Sequence, residues 1–71
     1  MIGKHHFDWN LHRVAEQAVK AGLLDAGSRG YDLTQQVIHQ GLGSLTPSQR
    51  RAYISEAAPA LNEMLRRKFT T

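Results

Sequence analysis

Leu45-Thr46-Pro47-Ser48-Gln49-Arg50-Arg51-Ala52-Tyr53 is the stretch that decides the fold. Thr46 carries a hydroxyl that can accept from the partnerless N–H groups of a first helical turn. Pro47 follows at the one helical position where a missing N–H costs nothing. Gln49 stands three residues after Thr46, where its amide can return to the cap's own N–H. A helix therefore begins at Pro47. From there Tyr53, Ile54, Ala57, Ala58, Leu61, Met64 and Leu65 keep one apolar face for about five turns. Pro59 interrupts them. Inside a helix it removes the bond to the Ser55 carbonyl and crowds that carbonyl, so the helix either kinks or ends near Ala58, with Pro59 in the first turn of another. The apolar periodicity leans toward a kinked continuous helix, with a split at Pro59 as the alternative.

Upstream, Asp32 lies three residues before Gln35, the spacing of a second capped start. Leu33, Val37, Ile38 and Leu42 mark its buried face, and Gly41 and Gly43 end it. Before it, Asp25-Ala26-Gly27-Ser28-Arg29-Gly30 reads as a loop. The first helix follows Asp8 as N-cap, with Leu11, Val14, Ala15, Ala18 and Val19 on one face and Gly22 or Gly27 as the stop. No strand alternation, repeat or low-complexity tract appears. The expectation is an all-α compact bundle of three or four short helices, one small domain over residues 1–71, with 1–7 and 69–71 outside its ordered part.

With 71 residues, 41% of them apolar, the chain has room for one domain and a small core. Eight of the apolar residues are alanines, so the core is thin, and without cysteine no disulfide reinforces it. Phe7, Trp9, Tyr31, Tyr53 and Phe69 are the candidate fillers, with Trp9 closing one end. The absence of cysteine also removes thiol nucleophiles, Cys-based zinc and Fe–S sites, and fits a reducing, cytoplasmic setting. No apolar run is long enough for a membrane span or a signal peptide.

The chemistry-bearing residues are few. His5, His6, His12 and His39 are many for this length, but they lack ligand spacing, so no metal or other cofactor is expected. Ser44, Ser48 and Ser55 have no glycine elbow, the glycines at 27 and 30 form no P-loop, and paired carboxylates are missing. An enzyme is not expected. A helix-turn-helix reading places Gly41 in the turn, with Ser48, Gln49, Arg50 and Arg51 leading the next helix. Its turn is longer than the tight form of that motif.

Charge is distributed unevenly within the formal +3. Residues 1–43 balance four cations against four acids, and residues 44–71 carry five cations against two acids. Arg66, Arg67 and Lys68 complement the C-terminal end of a helix dipole, whereas Arg50 and Arg51 stand near an N-terminus, where the dipole disfavours them. On one continuous helix Arg51, Ser55, Asn62 and Arg66 form a polar stripe without acids, apart from Glu56, Glu63 and Arg67. Gln49, Arg50, Arg51, Ser55, Asn62 and Arg66 are thus the candidate contacts for phosphate or an acidic protein.

The segment Gly43–Tyr53, with Ala58-Pro59-Ala60-Leu61, resembles a pattern in small uncharacterised proteobacterial proteins, often of plasmid or phage character. A similar Leu-Thr-Pro-x-Gln-Arg start opens helices in bacterial transcription regulators. The resemblance implies a bacterial, cytoplasmic helical protein and brings no activity or site residue. The combined expectation is a non-enzymatic protein-interaction or regulatory adaptor, self-association included, that binds another protein. The alternative partner is a nucleic acid, met by the basic C-terminal helix.

Overall fold

The structure, a computed structural model, describes residues 7–69, with side chains through Arg67. The readings that concern residues 1–6 and 70–71, His5 and His6 among them, and the Lys68 and Phe69 side chains lie outside the described residues. The order is α1 (Trp9–Lys20), α2 (Arg29–Gln40), a 3-10 turn (Leu42–Ser44), α3 (Pro47–Glu56) and α4 (Ala58–Phe69). Among the described residues there is no strand. The shortest dimension is 19 Å, about two helix diameters, so each helix has one side inward and one in solvent.

Local chemistry sets most boundaries. The Asp8 carboxylate accepts from the Leu11 N–H at 3.0 Å and starts α1. Its other end closes on Gly22, whose φ of 79° lets Gly22 and Leu23 donate back to the Val19 and Ala18 carbonyls at 3.1 and 2.9 Å. The cap read for α3 is present in full. Thr46 Oγ1 accepts from the Gln49 N–H at 3.1 Å, and Gln49 Oε1 accepts from the Thr46 N–H at 2.9 Å. Thr46→Ala removes one arm of this exchange and is expected to cost about 1 kcal/mol. A thermal melt should show it as a midpoint about 4–8 °C lower.

Two boundaries differ from the expectation. α2 starts at Arg29, capped by Ser28 Oγ accepting from the Tyr31 N–H at 3.2 Å, and Asp32 lies within its first turn. Gly30 looks like a loop residue in the sequence. It is buried because the start of α2 runs against the end of α3, where a Cβ would meet the Glu56 carbonyl oxygen at 3.1 Å. The last apolar stretch is two helices, the split alternative of the two readings, not one kinked rod. Ala57, fully buried, stands between them at φ −111°, and Pro59 falls in the first turn of α4, where its missing N–H is no loss.

The core forms two neighbouring clusters. Val14, Ala15, Ala18, Leu24, Ile38, Ala57, Ala60 and Leu61 make the larger, and Leu33, Val37 and Leu45 the smaller. Leu11 and Tyr53 pack against both. α1 contacts α2 and α4, and α3 contacts the same two helices. The alanines at these contacts let the helices approach closely, which suits a core with little bulk.

The aromatic residues are distributed otherwise than composition suggests. Trp9 is 68% exposed. As the first residue of α1 it shares an outward face with Arg13, Glu16 and Lys20, at helical spacing, so it cannot reach the core. Phe7 is half-buried and serves as a hub, its ring 4.5 Å from Trp9, 5.4 Å from His12 and 5.0 Å from His39. It belongs to the packed unit, not to a frayed end. The lead-in is pinned further by the Asp8 N–H donating to the Ile38 carbonyl at 2.9 Å.

Candidate functional site

α3 is the one α-helix with side chains described throughout that buries none of its residues. Its ten residues divide by direction. Gln49, Ala52, Tyr53 and Glu56 fall on the side turned to α2 and α4, and each is engaged there. Gln49 completes the cap. Ala52 and Tyr53 pack against the smaller core cluster. The Glu56 carboxylate accepts from the Arg29 guanidinium at 2.6 Å. Burial pushes the Tyr53 phenol up from its ordinary range, and the charge of Asp8 adds to the shift.

The opposite side presents Pro47, Arg50, Arg51, Ile54 and Ser55, all exposed, while Ser48, also exposed, lines a cleft against Asp32 and Gln36 of α2. Pro47, Arg50, Arg51 and Ile54 line a shallow pocket of about 330 Å³. Neither Arg50 nor Arg51 makes an ion pair among the described residues. α3 itself contributes no carboxylate to this face, because its single acid, Glu56, is held by Arg29. Ser55 Oγ donates to the Ala52 carbonyl at 3.3 Å, leaving its lone pairs outward.

The split at Ala57 rearranges the stripe read from a continuous helix. Arg50, Arg51 and Ser55 share the outer face of α3. Gln49 turns inward. Asn62 is exposed on α4, a different helix. Arg66 is not on an acid-free stripe at all: its guanidinium reaches back one turn to Glu63 at 2.9 Å, and Arg67 meets the other oxygen of the same carboxylate at 3.3 Å. Ile54 and Pro47, read as core and cap, are the apolar part of the site. The signal for them was their spacing, since 47, 50, 51 and 54 follow the i, i+3, i+4, i+7 row of one helix side.

The Arg29–Glu56 ion pair links α2 and α3 at the surface. Hydrogen bonding and the charge of Arg29 hold the Glu56 carboxyl below its ordinary value of 4.5, and Glu56 in turn raises Arg29. A carboxylate with a lowered folded pKa stabilises above its unfolded value, and that contribution fades as pH falls through the folded one. Melting curves of the protein and Glu56→Gln should therefore separate above 4.5 and converge well below it. The bridge is open to solvent, so added salt should narrow the gap.

His12 and His39 flank Phe7, and His12 Nε2 is 3.7 Å from a Glu16 oxygen. Among the described residues no three metal-binding side chains converge. No helix of the described residues is long and apolar enough to cross a membrane. No family model matches the chain, and no curated protein or solved structure shows significant similarity to it.

Proposed function

We infer that the protein is a non-enzymatic interaction module, a small regulatory adaptor, whose contact surface is the outer face of α3. The observation that supports this most is the exposure of Ile54 at 57% beside two arginines without ion pairs among the described residues. Exposed aliphatic area is costly to leave in water, and Arg beside apolar surface is the composition of protein contact patches. Chemistry on a substrate draws no support from this face, which is shallow and has neither base nor nucleophile pair. A thin core also favours association with a further chain. Self-association belongs to this reading and would appear as a mass above that of one chain at micromolar concentration.

A second reading has its own observation. α2, the 3-10 turn and α3 form a helix-loop-helix that leads with Arg50 and Arg51 on an acid-free side, and such residues can reach phosphates and base edges. The two readings separate by experiment. Lysate capture with the full chain as bait should enrich a protein that Arg50→Glu/Arg51→Glu fails to retain. Capture that is indifferent to the reversal would defeat the assignment of α3. Generic duplex DNA should show no salt-dependent binding if the first reading holds. Affinity that rises steeply as salt is lowered would favour the second.

A further inference from the structure

We propose that the partner segment seated on α3 is a short acidic amphipathic helix. An aliphatic side chain of that helix enters the pocket of Pro47, Arg50, Arg51 and Ile54, and carboxylates about one turn to either side pair with the two guanidiniums. This rests on the reading of α3 as the contact surface and adds what occupies it.

Shape is the first ground. Residues 47, 50, 51 and 54 form a single ridge, and the seven rises of 1.5 Å from the first to the last give it a length of about 10 Å. A ridge of that width and length matches the seam between two packed helices, where the row of one lies in the groove of the other. It is too narrow for a broad flat interface. A partner helix repeats its side chains every three to four residues, in step with the spacing of Arg50, Arg51 and Ile54. An extended segment repeats every two and falls out of step.

Charge is the second ground. Arg50 and Arg51 are left without ion pairs among the described residues, and the acid of their own helix is turned to Arg29. The partner must bring the carboxylates. A second copy of this chain, meeting this one through the same face, does not. A two-fold contact through the ridge would set Arg50 and Arg51 against their own equivalents, with no acid between them. The nearest downstream carboxylate, Glu63, is taken up by Arg66 and Arg67.

The pocket floor is the third ground. Pro47 and Ile54 supply apolar surface about one turn to either side of the two arginines, and burying an exposed aliphatic side chain contributes most where the partner supplies aliphatic surface in return. A phosphate backbone would satisfy the arginines and leave Ile54 against a hydrated polyanion. An acidic helix with one central Leu, Ile or Val satisfies both.

The test is a display library of helical peptides of about sixteen residues, randomised along one face and selected against the immobilised full chain. Enriched sequences should place Asp or Glu three or four residues to either side of an aliphatic residue. Their affinity should fall at least about tenfold on Arg50→Glu/Arg51→Glu and recover in part when the acids of the peptide are changed to Lys. If the reversal impairs folding, Arg50→Gln/Arg51→Gln should give the same loss. Enrichment without acidic bias, equal binding to the variants, or no enrichment overturns the proposal. A duplex of about 20 base pairs, run beside the peptides, separates the levels. Arginine-dependent DNA binding with an empty selection removes the acidic helix and keeps α3 as the contact surface, whereas no arginine-dependent ligand removes both.

Discussion

Ile38→Ala is expected to leave much of the chain unfolded at room temperature. Ile38 is wholly buried in the larger cluster, between α1 and the residues that join α3 to α4. Truncating a buried Ile to Ala costs about 2–5 kcal/mol, through lost transfer energy and the cavity left behind. A domain of this size holds only about 3–5 kcal/mol from its core. Eleven apolar residues are buried among those described, and four of them are alanines, so there is little bulk to close over a gap. Urea unfolding followed by helical circular dichroism should show a midpoint near zero denaturant for Ile38→Ala. Ile38→Val should cost about 0.5–1.5 kcal/mol and keep a cooperative transition. A midpoint like that of the unaltered chain in Ile38→Ala would mean the core does not lie where it is described.

Gly30→Val is expected to be the most damaging change outside the hydrophobic clusters. A Cβ at Gly30 would lie 3.1 Å from the Glu56 carbonyl oxygen and 3.2 Å from its carbon, both backbone atoms of α3. A branched side chain there forces the start of α2 away from the end of α3. That movement strains the Arg29–Glu56 bridge and the 2.7 Å bond from the buried Thr34 hydroxyl to the Gly30 carbonyl. Overpacking of this kind costs about 1–3 kcal/mol. Gly43 is the control, because a Cβ there meets nothing within 4 Å. Gly43→Ala should be neutral or slightly stabilising, while Gly30→Val lowers the melting midpoint by about 4 °C or more. Equal midpoints in the two variants would count against the close α2–α3 contact.

Gly30 also marks where the sequence stops being legible. The starts of α1 and α3 were legible, because Asp8 and the Thr46-Pro47-x-Gln49 box act on their own first turns and need no tertiary help. The start of α2 was not. Ser28 is an adequate cap, yet Gly27 and Gly30 around it resemble loop chemistry, and Gly30 is small for a reason that lies in α3. Asp32 offered the more regular signal and proved internal to the helix.

Pro59 hid the site in a similar way. Apolar periodicity from Tyr53 to Leu65 fits one helix as well as two, and only packing decides between them. Ala57 is buried and breaks the run, so Ile54 is carried outward to join Arg50 and Arg51 while Leu61 stays inside. Charge alone therefore marks Arg50 and Arg51 of the proposed face, whereas Ile54 reads as core in the sequence. A helical wheel puts Arg66 on an acid-free stripe because it compares Cβ directions, whereas the long guanidinium side chain reaches back to Glu63 three residues earlier.

Photo-crosslinking from two exposed positions distinguishes the outer face of α3 from the longer stripe read in the sequence. A benzoylphenylalanine at position 54 should yield a discrete crosslinked protein that Arg50→Glu/Arg51→Glu abolishes, with circular dichroism unchanged. The same probe at position 62, exposed on α4, should yield none. Equal products from both positions, or a product at position 54 that survives the charge reversal, would contradict α3 as the surface on which this protein acts.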